Sequence, residues 1–411
     1  MNWKELSLGD IFNVGSSKRV LKSQWQTTGV PFYRGREVTR LAVHGKVDNE
    51  LFISDEHFAE LEKKHGVPKP DDIVITAIGT IGNSYVVKPG DRFYFKDASV
   101  LWLGKASDVD SEFVNYWLKS PRFNEQLDKG NGATVDTLTI SKLKNAKIVI
   151  PPLPEQKRIV SILDEAFEGI DTVVSNTEKN LANVQELFDG YLSSIFAQRG
   201  DGWIDQPLKD VCIDYGRGKS KHRPRNDPRL YGGVYPFIQT GDVRKSSHVI
   251  KDYSATYNEA GLAQSKLWPE GTICITIAAN IAETGILGFD ACFPDSIIGL
   301  VVDEKNASKE YVEYLLQSVK TVLKAKGKGS AQDNINLGTF ENEKFPFPPL
   351  AKQEEIAANL HELSSTVSSL ETIYKHKLSA LAELKQSLLH KAFSGELTAR
   401  EAEASVEEAT A

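Results

Sequence analysis

Cysteine is scarce in this chain of 411 residues: Cys212, Cys274 and Cys292 stand far apart. Three scattered thiols exclude a disulfide framework and a cysteine zinc cage, and they suit a reduced, cytoplasmic protein. Long apolar runs are missing too. No stretch approaches the ~20 residues that a membrane helix needs, and the opening MNWKELSLGD is too polar and acidic to read as a secretory signal. Proline is absent from two long stretches, Glu155–Ala197 and Lys352–Ser394.

Signatures of catalysis are lacking as well. The eight histidines, at 44, 57, 65, 222, 248, 361, 376 and 390, form no HExxH or HxH pair and read as ordinary surface residues. Gly-Arg-Gly-Lys219-Ser220 has the ending of a phosphate-binding loop, but it lacks the glycine four residues earlier and follows no clear strand. There is no GxSxG and no Asn-Pro-Pro-aromatic run. Asp71-Asp72 is a carboxylate pair, yet neighbours in a strand face opposite ways, so it reads as turn chemistry.

Charge of one sign is not in large excess. The net charge is −7, and Gly395–Ala411 alone carries five glutamates and one arginine. Against the near-neutral remainder stands RGKSKHRPR, with Arg217, Lys219, Lys221, Arg223 and Arg225 in nine residues and no acid. Bulk charge therefore decides nothing about nucleic acid, and local distribution must.

What is present is a repeat of about 200 residues. Trp3, Leu8 and Asp10 recur as Trp203, Leu208 and Asp210; Pro31-Phe32 recurs as Pro236-Phe237; Ile73–Thr76 matches Ile273–Thr276. Gly130–Leu163 aligns with Gly327–Leu360 at a constant offset of 197, with eleven identities in 34 residues, where chance gives about two. Each half begins with ~150 residues of short β-rich runs, such as Asp72–Ile78 and Gly271–Ile277, and one helical patch, Ser111–Lys119 or Lys309–Leu323. This reads as an α+β head.

The back of each half, after Pro151-Pro-Leu153 and Pro348-Pro-Leu350, is a different kind of sequence. Apolar residues recur at steps of four and three: Ile159, Leu163, Ala166, Ile170, Val173, Leu181, Val184, Leu187, Tyr191 and Ile195, then Ile356, Leu360, Leu363, Val367, Leu370, Tyr374, Leu378, Leu381, Leu384 and Leu388. That is a coiled-coil seam, flawed around Asn176, Thr177 and Asn180. Forty-three residues make a rod of about 64 Å. Two such helices in one chain are expected to pack antiparallel. The expected architecture is two repeated mixed α/β heads held apart by two long antiparallel coiled-coil helices, with pseudo-twofold symmetry.

The heads carry polar and basic residues at matching places. After Pro-Phe come Arg34 and Arg36 in one and Gln239 and Thr240 in the other, read as loops. Arginine suits the O6/N7 edge of guanine, and glutamine the N6/N7 edge of adenine. Post-strand loops offer Thr80 and Asn83, and at the equivalent place Asn280. Lys18, Arg19, Lys22, the basic run from Arg217 to Arg225, and Lys326 and Lys328 suit phosphate.

These patterns resemble the specificity subunits of type I restriction-modification enzymes, over nearly the whole chain. The carriers are Pro151-Pro-Leu-Pro-Glu155-Gln156, Pro348-Pro-Leu-Ala-Lys-Gln353, the run Leu388–Thr398, and the opening patterns at Trp3 and Trp203. The resemblance implies target recognition domains at 1–150 and 200–347, spacer helices at 151–199 and 348–396, and an acidic tail at 397–411. It implies that each head reads half of a bipartite DNA site, and that the helices set the spacer and dock two methyltransferase subunits. Restriction subunits would join them. S-adenosylmethionine, ATP and Mg are then expected on the partner subunits, with no catalysis by this chain. The alternative is a non-catalytic coiled-coil scaffold with two protein-binding heads.

Overall fold

Each half opens with a strand that is later paired by the strand just before its long helix. In the computed structural model, which describes residues 3–127, 137–222, 224–278, 281–320 and 343–398, the chain forms two compact units. Unit 1 is Met1–Thr177 with His376–Ala411, and unit 2 is Glu178–Lys375.

Unit 1 runs β1 (Lys4–Ser7), α1 (Leu8–Ile11), β2 (Phe12–Ser16), β3 (Val30–Tyr33), α2 (Gly35–His44), β4 (Phe52–Ile53), α3 (Asp55–His65), β5 (Ile73–Thr76), β6 (Ser84–Val86), β7 (Tyr94–Phe95), β8 (Val100–Lys105), α4 (Ser111–Leu118), α5 (Pro121–Asn124), α6 (Ile140–Asn145) and β9 (Lys147–Ile150) into the long α7 (Leu153–Ala197). One sheet has the order β2-β8-β5-β6, a second β4-β3-β7, and β1 pairs antiparallel with β9. Strand β5 is buried on both faces, which is why Ile73–Thr76 reads as a continuous apolar run. Asp72 enters it as a turn anchor: its carboxylate accepts from the amides of Lys69 and Lys105 and from the Trp102 indole, while Asp71 has φ of +73°.

Unit 2 repeats the plan with β10 (Ile204–Gln206), β11 (Cys212–Arg217), β12 (Tyr231–Phe237), α8 (Thr240–Lys245), β13 (Val249–Ile250), β14 (Ala255–Tyr257), α9 (Glu259–Ala263), β15 (Leu267–Trp268), β16 (Ile273–Thr276), β17 (Thr284–Leu287), β18 (Ala291–Cys292), β19 (Ile297–Val302), α10 (Lys309–Ser318), β20 (Phe345–Phe347) and the long α11 (Leu350–Ser394). The sheets are β11-β19-β16-β17-β13 and β14-β12-β18-β15, and β10 pairs with β20. The heads thus hold more helix than the single patch per half expected. Helices α3, α8 and α9 are short or polar, so their periodicity is weak and packing of residues such as Phe58 and Val243 holds them, whereas the ten-residue α2 is amphipathic and buries Val38 and Leu41. Gly218-Lys219-Ser220 does follow a strand, β11, but among the described residues no α-helix starts directly after it, as a phosphate-binding loop requires.

Both long helices lie partly in each unit. Inside unit 1, Ile159 and Leu163 of α7 share a core with Leu389, Ala392 and Phe393 of α11, and Asp171 pairs with Lys385. Inside unit 2, Leu192 and Phe196 meet Ile356 and Leu360, and Gln185 donates to Glu371 at 2.9 Å. In both units one helix ascends as the other descends, so the packing is antiparallel. The seam departs from a strict heptad near its end. Leu187 and Tyr191 are exposed, while Leu192 and Phe196 are buried and Phe188 partly so. Steps of four from Val184 through Phe188 to Leu192 rotate the stripe away from the 3.5-residue repeat, because a helix turns every 3.6 residues. Thr177 is buried with its hydroxyl bonded to the Val173 carbonyl at 2.7 Å.

Each head is clasped to its long helix by one buried glutamine. Gln156 accepts from the Asp110 amide at 2.9 Å and donates to the Pro151 carbonyl at 2.8 Å. Gln353 accepts from the Ser308 amide at 3.0 Å and donates to the Pro348 carbonyl at 2.8 Å. Cores differ beside the clasp. Ser84 bonds Asn115 in unit 1, whereas in unit 2 the fully buried Glu313 accepts from Thr284, Gln317 and His248, each at 2.7 Å. His248 is therefore a core residue rather than a surface one; its isolated position in the sequence gave no sign of the carboxylate 65 residues away.

Gln353→Met keeps the volume but orphans two buried backbone groups. It is expected to destabilise the protein by roughly 2–6 kcal/mol, from ~1–3 for each group, in denaturant melts. The exposed Gln386→Met should change stability by less than ~0.5 kcal/mol. Equal effects at the two positions would remove the clasp from the account.

Candidate nucleic-acid interface

The segments after Pro31-Phe32 and Pro236-Phe237, read as loops, are the first turns of α2 and α8. Arg34 and Gln239 are their N-cap residues, and each backbone amide donates to an acid three residues on, Glu37 at 3.0 Å and Asp242 at 2.8 Å. An acceptor at that place satisfies an amide left free by helix geometry.

In unit 1 the predicted residues converge. Helix α2 begins beside the hairpin loop of β5 and β6, where Thr80 and Asn83 both contact Thr39. The Ala77 amide donates to Ser99, and Lys96 to Tyr33, so the 96–99 segment lies alongside. The Lys18 amide bonds the Tyr94 hydroxyl, and Arg19 pairs with Asp97 at 2.9 Å. A groove of about 440 Å³ joins these pieces, lined among others by Arg19, Lys22, Trp25, Ile78 and Lys96. Lys18, Arg19 and Lys22 are exposed. Of the predicted residues in this head, Arg19 and Lys22 line the groove, Lys18 adjoins Arg19, Thr80 and Asn83 meet α2 through Thr39, and Arg34 and Arg36 stand at the start of that helix.

Electrostatics sorts them. Arg34 gives Nε and Nη2 to Glu37 at 3.1 and 2.9 Å, so the forked edge needed for a guanine is engaged within the protein. Arg36 bridges Glu37 and the exposed Glu50, with its own side chain half exposed. Burial alone would push the Glu37 carboxyl up; hydrogen bonds from Arg34 and Arg36 outweigh it and hold the carboxyl below the ordinary glutamate range.

In unit 2 the basic run lies against the 293–297 segment. Arg217 donates to the Asp295 carbonyl at 2.8 Å, and Arg225 grips the Asp295 carboxylate at 2.6 and 2.8 Å. Hydrogen bonds from Arg229 and His222 hold Asp227 well below the usual carboxylate range. Lys219, Lys221 and Gln239 are exposed, and Thr240 half-buried. The Ile238 amide bonds Cys292 and the Ile277 amide bonds Ser296, which brings α8, the β16–β17 loop and the basic run to neighbouring positions, as in unit 1. The described ends of the two hairpin loops match: Thr76 and Thr276 bond the carbonyls of Asn83 and Glu283, and Gly82 and Ala282 both have positive φ. Arg223, Asn280, Lys326 and Lys328 lie outside the described residues.

Sequence reading missed Thr39, which stands three residues beyond Arg36 on α2 and so shares its face. It also missed Glu283, which pairs with Lys320 at 2.6 Å. Only recognition of α2 as a helix would have exposed Thr39. Among the described residues, no group of three or more His, Cys, Asp or Glu is placed to hold a metal ion, and no helix is long and apolar enough to cross a membrane.

A model of the type I restriction modification DNA specificity domain matches residues 1–181 and 200–377. A putative type I restriction enzyme specificity subunit of Haemophilus influenzae is 34% identical over 193 residues, 45% of this chain and 47% of that protein, so the chain spans about half of that relative's length in the match. The EcoKI specificity subunit of Escherichia coli is 21% identical over 71% of this chain and 67% of its own. A putative MjaX specificity subunit of Methanocaldococcus jannaschii is 20% identical over 96% and 94%. Among solved structures, a chain from a type I restriction-modification assembly gives a TM-score of 0.79 at 21% identity, covering 96% of this chain and 98% of that one. The HsdS subunit from Thermoanaerobacter tengcongensis gives 0.57 at 20%, covering 96% and 97%.

The Glu37 contribution has a definite pH sign. A depressed carboxyl stabilises fully above its unfolded value, about 4.3, and the stabilisation is lost as pH falls through the lower folded value. Glu37→Gln should lower the thermal midpoint most above about pH 5, with the gap from wild type closing toward pH 3. A gap of constant size across that range would refute this.

Proposed function

The chain belongs to the type I restriction-modification DNA specificity family, and from that premise we propose that it is the sequence-reading subunit of a methyltransferase and endonuclease complex. Each head reads one half of a bipartite site in double-stranded DNA. The observation that carries this reading is the duplicated surface: the same helix start, hairpin loop and cationic segment recur with different side chains, Arg34 against Gln239 and Asn83 against Glu283. Equal scaffolds with unlike tips suit two unlike half-sites, because specificity lies in base-edge contacts and affinity in phosphate contacts.

The 45-residue helices α7 and α11 set the spacer and present surface for two methyltransferase subunits, with restriction subunits joining the complex. Leu187, Tyr191, Ile373 and Leu384 are exposed apolar residues on these helices and support a docking role. Catalysis, with S-adenosylmethionine, ATP and Mg, resides on those partners in the cytoplasm. Within each head, Lys22 and the exposed Lys219 and Lys221 contact phosphate, Arg36 and Gln239 approach base edges, and Arg34, Arg217 and Arg225 brace the loops they pair with.

Binding of the chain with its methyltransferase partners to a mapped duplex tests this. Lys22→Ala and Lys221→Ala should each weaken all sequences alike and reduce the salt slope by about one. Exchanging one head should change one half of the motif only. Binding that ignores salt and sequence would favour the protein-binding scaffold instead.

A further inference from the structure

We infer that Asn83 reads an adenine in the half-site of the first head, and that Thr39 on α2 is the positioning residue that orients it. The inference rests on the DNA-reading function proposed above. It starts from a tethered amide. The Asn83 backbone is locked, its amide on the Thr76 hydroxyl at 3.1 Å and its carbonyl on the Thr76 amide at 2.9 Å. Its side-chain Nδ2 donates to the Thr39 hydroxyl at 3.2 Å, and that hydroxyl is itself within 3.0 Å of the Thr80 hydroxyl. The second amide hydrogen has only the Thr80 carbonyl at 3.4 Å, beyond the usual range for N–H···O bonds. Among the described residues, no donor is bonded to Oδ1.

An amide held by one hydrogen keeps one acceptor and one loosely held donor side by side. That pair complements adenine, whose N6 amino group donates and whose N7 accepts. Thymine and cytosine lack the pair, and guanine presents two acceptors there. If the contact served only to tie the helix to the loop, the Thr39–Thr80 hydroxyl pair would suffice. In the second head the matching position carries Glu283, bound to Lys320 at 2.6 Å, although its backbone bonds Thr276 as that of Asn83 bonds Thr76. The position therefore varies where the scaffold does not, as expected of a reading position.

The test uses the full chain assembled with its methyltransferase partners and duplexes carrying its mapped motif. Each adenine is replaced in turn by 7-deazaadenine, which lacks the N7 acceptor. Wild type should lose affinity at one adenine of the first head's half-site. Asn83→Ala should bind the natural duplex roughly 5- to 150-fold more weakly and should no longer respond to 7-deazaadenine at that position. Thr39→Val should show the same loss of response, while Thr39→Ser, which retains the hydroxyl, should behave as wild type. A merely structural contact would lower affinity without erasing sensitivity at one base. Asn83→Ala that still responds at every position would overturn the inference. If that variant does not assemble, a Thr39→Val protein with wild-type sensitivity would do so. A wild-type complex with no preference for any motif would overturn the parent reading and this one with it.

Discussion

Gln156 and Gln353 sit where each long helix leaves its head, and each satisfies two backbone groups that the close packing there would otherwise strand. The Pro-Pro-Leu segment turns the chain from the last strand of the head, β9 or β20, into the helix. The carbonyl of the first proline at that corner takes a hydrogen bond from a side chain. The glutamine provides the donor, and its oxygen reaches back to the amide that opens α4 or α10. The last strand of the head, the start of α4 or α10 and the first turn of the long helix thereby meet at one side chain. The duplication of this clasp explains why sequence identity between the halves is concentrated around Pro151–Gln156 and Pro348–Gln353.

From that anchor the rest of each head is free to differ at its tips. Sheet strands β5 and β16 are buried on both faces and keep their register, while the loops that follow them carry unlike residues. Cations on this surface divide into two kinds. Some are engaged by neighbouring acids, as Arg34 is by Glu37 and Arg225 by Asp295, and these shape loops. Others, Lys18, Lys22, Lys219 and Lys221, extend into solvent, where lysine's flexible charge suits phosphate better than base edges.

Much of this was legible in the linear chain. The two long helices followed from periodicity, which is a local property that 3.6-residue geometry imposes regardless of what surrounds it, and the repeat and the antiparallel sense followed from the order of matching segments along the chain. Candidate cations and the turn role of Asp71-Asp72 were legible too, because residue chemistry and dihedral preference travel with the residue. Tertiary structure alone decided that Arg34 is engaged by Glu37, that Thr39 holds Asn83, that His248 is buried on Glu313, and that Leu187 and Tyr191 face solvent. Those outcomes depend on which segments meet across tens of residues and on a few degrees of drift per helical turn. Neither a contact between distant residues nor the phase of a long helix against its neighbour is written in any local window of sequence.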